Sequence, residues 1–115
     1  MLLSLGAVRL QRGDAREAES LLRQGVAMAE RFLPPGSLRT RESKRLLGTT
    51  LSAQGRYAES EPLLLAAAEM PAAAQADTLE RRRALRELVR LYEAWGRPEQ
   101  ARKYRDRLER AGGGP

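Results

Sequence analysis

With 115 residues, the chain has room for one compact domain or a few stacked repeats, and none for a second domain of enzyme size. Leu occurs 19 times, Ala 18 and Arg 19, against 3 Val, 4 Thr and no Ile, so helix formers swamp the residues that suit a pleated sheet and an all-α fold is expected. The absence of Cys and His excludes disulfides, thiolate nucleophiles, the common zinc sites and imidazole-dependent triads, while 21 cations against 15 anions, a formal +6, leave nucleic acid, an acidic membrane or an acidic peptide as charge-matched partners.

Residues 2–12 open the chain with Leu2, Leu3, Leu5, Val8 and Leu10 at helical spacing, and this segment runs to Gly13. A second helix is expected over 15–32. Leu33-Pro34-Pro35-Gly36-Ser37 stops it, because proline cannot continue a helix, and Ser37 supplies an N-cap for the next helix, 37–54. Gly55 then separates that helix from another over 57–70. Here Pro62 strips one hydrogen bond and crowds the carbonyl of Ala58, so a kink near Ala58 is expected. Met70-Pro71-Ala72 ends this pair; Asp77 is placed to cap a helix over 76–95, and Gly96 leads into a last helix over 98–111. In that last helix Ala101, Tyr104, Leu108 and Ala111 make one narrow apolar stripe. Charged residues, from Arg102 and Lys103 to Arg110, cover the rest, as suits a solubilising end of an array. Gly112-Gly113-Gly114-Pro115 is a helix stop or a loose tail.

Three stretches align at their glycines. Gly13, Gly55 and Gly96 are spaced by 42 and 41 residues, and Leu5-Gly6, Leu47-Gly48 and Leu88-Val89 echo them upstream. A period of this size marks stacked helical hairpins, with repeats at about 1–35, 36–75 and 76–111. The turn glycines sit where a tight inter-helix turn needs a positive φ, and Gly48 where two backbones pass closely.

Leu47-Gly48 followed by Leu51 and Gly55, and Leu88-Val89 followed by Tyr92, Gly96 and Ala101, resemble the tetratricopeptide repeat; Gly25 and Ser60 stand where that family tends to have Ala. The long period and the phrase Gln54-Gly55-Arg56-Tyr57-Ala58-Glu59-Ser60-Glu61-Pro62-Leu63-Leu64 resemble the longer-helix variety of kinesin light chains and of bacterial multidomain proteins, serine/threonine kinases among them. No kinase motif is present in this chain. The resemblance implies a right-handed solenoid of about two and three-quarter repeats, forming the C-terminal part of a larger protein. It also implies that the first helix of each hairpin lines a concave groove holding a peptide. That role falls on Glu42, Arg45, Thr49 and Ser52 in the middle repeat, and on Arg83, Arg86, Arg90 and Glu93 in the last.

Arg82, Arg86 and Arg90 recur every four residues and form an arginine stripe on one helix. Planar guanidinium groups suit an acidic peptide or a C-terminal carboxylate, with Arg45, Arg83, Arg86 and Arg90 supplying charge and Thr49 and Ser52 hydrogen bonds. The plainer alternative pairs Glu80, Glu87 and Glu93 along the helix with Arg83 and Arg90. Nucleic acid is disfavoured, because Glu interleaves the arginines and the five aromatic residues make no stacking cluster. Tyr57, Tyr92 and Trp95 are expected in hairpin packing, not as a ligand box. Glu17 and Glu19, like Glu59 and Glu61, lie two apart on a helix, point in divergent directions and are expected to be solvated. No cofactor, metal or catalytic residue is expected. A non-catalytic scaffold for a protein partner follows, with self-association through the apolar N-terminal edge as the alternative. No stretch approaches the roughly 18 apolar residues of a membrane span, Met1–Val8 lacks a basic leader, and a cytoplasmic location is expected.

Overall fold

The chain's structure is a computed structural model that describes residues 15–69 and 78–111. They form helices α1 (Ala15–Phe32), α2 (Leu38–Ala53), α3 (Tyr57–Ala68), α4 (Thr78–Ala94) and α5 (Pro98–Ala111), with no strand among the described residues. Each bound falls within two residues of the expected one. The helix expected over 2–12, with Gly6, Gly13 and the apolar N-terminal edge, lies outside the described residues, as do Met70-Pro71-Ala72, the Asp77 cap and the tail 112–115.

Local chemistry sets the helix ends. Ser37 caps α2: its Oγ accepts from the Thr40 backbone N–H at 3.4 Å and lies 2.8 Å from the Thr40 hydroxyl. Arg41, only 2% exposed, donates Nε to the Gly36 carbonyl at 3.1 Å and ties the preceding loop to the helix it opens. α2 ends at Gly55 with φ 77°, where the Gly55 N–H bonds to the Ser52 carbonyl (2.9 Å) and the Arg56 N–H to the Leu51 carbonyl (3.0 Å). α4 ends the same way at Gly96, φ 75°, with Gly96 N–H to Glu93 and Arg97 N–H to Tyr92. Both are the paired-bond stop that a left-handed glycine allows. They lie 41 residues apart, so the sequence period is a structural one. α3 runs unbroken through Pro62.

Burial follows helical periodicity. Ala18, Leu22, Val26 and Ala29 of α1 are buried, the first three against Leu47 and Leu51 of α2. α3 crosses α2 closely: a Cβ on Gly48 would meet Leu64 Cγ at 2.8 Å, and the buried Ser60 hydroxyl donates to the Gly48 carbonyl at 2.6 Å. In the next hairpin Val89 and Ala101 take the places of Gly48 and Ser60, giving apolar contact for the hydrogen bond. A second core joins Leu64 of α3 to Leu85, Leu88, Val89, Leu91 and Tyr92 of α4 and to Ala101 and Tyr104 of α5. Each helix packs on its chain neighbours, and α2 also meets α4. This is an all-α helical-repeat solenoid, whose core is a chain of local interfaces. On α5 Ala101 and Tyr104 are buried and Leu108 is half-buried, while Arg102, Lys103, Arg105, Asp106, Arg107, Glu109 and Arg110 are exposed; the side chain of Ala111 lies outside what the structure describes.

Candidate functional site

α2 and α4 are the first helices of consecutive hairpins. On α2, Glu42, Arg45, Thr49 and Ser52 share the half-exposed face opposite the buried Leu47 and Leu51. Their counterparts 41 residues on are Arg83, Arg86, Arg90 and Glu93, all exposed. At roughly 100° per residue the three arginines fall within an arc of about 60°, so they point the same way from α4. α2 is partly screened because α4 packs beside it; α4 is the last helix of its kind among the described residues.

The arginines differ in what they already hold. Arg45 is mostly buried, its side chain 14% exposed, and its Nε donates at 2.6 Å to Oε2 of Glu80, 4% exposed, on α4. This ion pair joins the first helices of neighbouring repeats and occupies Arg45. The other Glu80 oxygen, Oε1, is buried and accepts no hydrogen bond among the described residues. Arg90 donates Nη1 to Glu87 at 3.1 Å yet stays 66% exposed. Arg83 and Arg86 are exposed and make no ion pair among the described residues. Of the pairings along α4 that would have consumed these arginines, only that of Arg90 with Glu87 forms. Glu80 turns to α2, and Glu93 accepts from Arg105 of α5 at 2.6 Å. The Thr49 hydroxyl donates to the Arg45 carbonyl at 2.9 Å, leaving its lone pairs to accept; Ser52 is half-buried.

The carboxylates of Glu19, Glu59 and Glu61, expected to be solvated, are engaged. Glu19 of α1, 16% exposed, accepts from Arg23 Nε (2.8 Å), Gln54 Nε2 (3.2 Å) and Arg56 Nη1 (2.6 Å), so it fastens α1 to the α2–α3 turn. Burial pushes its carboxyl up, but those hydrogen bonds outweigh burial and hold it below the ordinary carboxylate value. Arg56 also grips Glu59 two-pronged, at 2.7 and 2.9 Å, and its hydrogen bonds draw that carboxyl down as well. Glu61 accepts from the Tyr92 hydroxyl at 2.6 Å; burial foremost, then this bond, raises the phenol above its usual value. The Gln54–Glu19, Arg56–Glu19 and Tyr92–Glu61 pairs join residues 31 to 37 apart, beyond any helical spacing, and hold elements together without converging on a cavity.

Tyr92 stacks between Trp95, at 6.3 Å, and Tyr104, at 5.5 Å, with Tyr57 6.0 Å from Trp95; the Arg97 guanidinium covers the indole at 3.8 Å. These rings are hairpin packing, as their place beside the Gly96 turn implies. Among the described residues no cluster of Asp and Glu suits a metal ion, and no helix is long and apolar enough to cross a membrane.

The family model for the tetratricopeptide repeat matches residues 1–73. No curated protein and no solved structure matches the chain.

Proposed function

Because the chain belongs to the tetratricopeptide repeat family, we propose that it is a non-catalytic scaffold holding an acidic segment of a protein partner against the open face of α2 and α4. Repeats of this family generally mediate protein–protein interaction. The observation that carries the finer reading is the open arginine row: Arg83 and Arg86 point outward from α4 without an ion pair among the described residues, in the positions of Glu42 and Arg45 one repeat earlier. Arg90 adds charge, Thr49 and Ser52 are hydrogen-bonding groups on the neighbouring α2, and Arg45, already tied to Glu80, is spent within the fold and takes no part. We take the array to span 1–111 as a long-period variety within a larger cytoplasmic protein.

Capture of partners from the source cell's lysate tests this, with the wild-type chain in parallel with an Arg83/Arg86/Arg90→Glu variant whose helicity is verified by circular dichroism. Partners retained by the wild type and lost by the variant are the expected result. Equal recovery by both would overturn the role given to the arginines. A second reading, self-association, rests on Met28, Phe32, Leu33 and Leu38, which are exposed around the α1–α2 loop. Sedimentation showing a monomer at high concentration would remove it.

A further inference from the structure

Arg86 stands in its repeat where Arg45 stands in the one before, 41 residues earlier. Arg45 receives Glu80 from the helix lying alongside, at 2.6 Å. The fold thus already shows what a guanidinium at this position does when a neighbouring helix offers it a carboxylate. On α4 the same position is open: Arg86 is exposed and unpaired among the described residues, as is Arg83, while Arg90 shares Glu87 across 3.1 Å and remains 66% exposed.

The spacing of the row then discriminates between shapes of ligand. With a rise of about 1.5 Å per residue, Arg83, Arg86 and Arg90 span about 10.5 Å in steps of three and four residues. Carboxylates at i, i+3 and i+7 of a helix repeat both that span and that arc. An extended segment places same-face side chains about 6.6 Å apart, so three of them cover about 13 Å and drift out of register. Charge excludes a basic or purely apolar helix, because burying three guanidinium groups without counter-charges costs more than apolar contact returns.

Resting on the scaffold reading above, we infer that the segment held is an acidic helix lying along α4 as α4 lies along α2, with carboxylates at i, i+3 and i+7. Arg86 is its central contact and Arg83 and Arg90 flank it. Arg45, already occupied by Glu80, takes no direct part.

Two designed peptides matched in charge test this by fluorescence anisotropy with the full chain at about 0.15 M ionic strength, where diffuse surface attraction is largely screened. One is a side-chain-cross-linked helix with Glu at i, i+3 and i+7; the other is an extended segment with Glu at i, i+2 and i+4. The helix is expected to bind about tenfold more tightly than the extended peptide, and Arg86→Glu to raise its Kd about tenfold or more, as fits loss of a charged hydrogen bond. Arg86 is exposed, so the variant keeps its fold, which circular dichroism verifies. The double variant Arg45→Met/Glu80→Leu, which removes the pair without leaving a lone charge, is expected to leave the Kd unchanged. Preference for the extended peptide with the same dependence on Arg86 would overturn the helical ligand and leave the scaffold reading standing. Binding of neither peptide, or binding indifferent to Arg83/Arg86/Arg90→Glu, would overturn both. Weakened binding in the double variant would overturn the separation of Arg45 from the site.

Discussion

At Gly48 the room for a side chain is already taken, since an added Cβ would lie 2.8 and 2.9 Å from Leu64 Cγ and Cδ2, and Leu64 is itself fully buried. At Gly25, inside α1, an added Cβ meets nothing within 4 Å. The same substitution is therefore expected to act with opposite signs: Gly25→Ala gains about 0.5–1 kcal/mol from helix propensity, and Gly48→Ala loses about 1–3 kcal/mol to overpacking. Urea denaturation of the two variants checks both, and propensity cancels in the contrast. Glu19 provides a pH signature. Its folded carboxyl titrates below the ordinary value of 4.5, so its contribution to stability is complete above that value and is lost as pH falls below it. Glu19→Gln is expected to flatten the acid limb of stability between neutral pH and about pH 3 by comparison with the wild type, measured by the same denaturation. These residue-scale facts were unevenly legible. The close approach at Gly48 and the left-handed turns at Gly55 and Gly96 follow from glycine's position in the period, whereas Gln54 and Arg56, which reach Glu19, and Tyr92, which reaches Glu61, come from distant elements and leave no trace in local spacing.

At the scale of elements, the Arg45–Glu80 pair links α2 to α4, the first helices of successive hairpins, and adds little net stability. Both groups are largely out of water, and one Glu80 oxygen accepts nothing among the described residues, so much of the Coulomb gain is offset by desolvation. Removing one partner leaves the other as a buried lone charge. Arg45→Ala or Glu80→Ala is accordingly expected to destabilise by about 3 kcal/mol or more, and Arg45→Met/Glu80→Leu by less than either single change, as thermal or urea unfolding would show. Helix extents were legible because Pro34, Pro35, Gly55 and Gly96 punctuate them and Ser37 caps one. The destination of Glu80 was not. It lies three residues before Arg83 on the same helix, a spacing that equally permits pairing along α4, and only the lateral packing of α4 on α2 decides for Arg45.

At the scale of the molecule, the stack passes its order from hairpin to hairpin. The family match covers residues 1–73, yet the hairpin of α4 and α5 beyond it repeats the same glycine stop, the same 41-residue offset and the same inward face. What distinguishes this last hairpin is its charge. Where α2 presents Glu42, a spent Arg45, Thr49 and Ser52, α4 presents three outward arginines and a Glu93 already held by Arg105. The row of Arg83, Arg86 and Arg90 was legible from the groove positions of the family, whereas the four-residue stripe puts Arg82, half-buried here, in place of Arg83; which members are free depends on pairings across helices. The most direct test of the scaffold account is a two-dimensional NMR spectrum that resolves each arginine Nε–H, recorded as the cross-linked acidic helix is added. The account predicts shifts at Arg83, Arg86 and Arg90, with Arg45 and Arg56 unmoved in their existing pairs. Shifts confined to the arginines of α5, or no shift on α4 at saturating peptide, would contradict it.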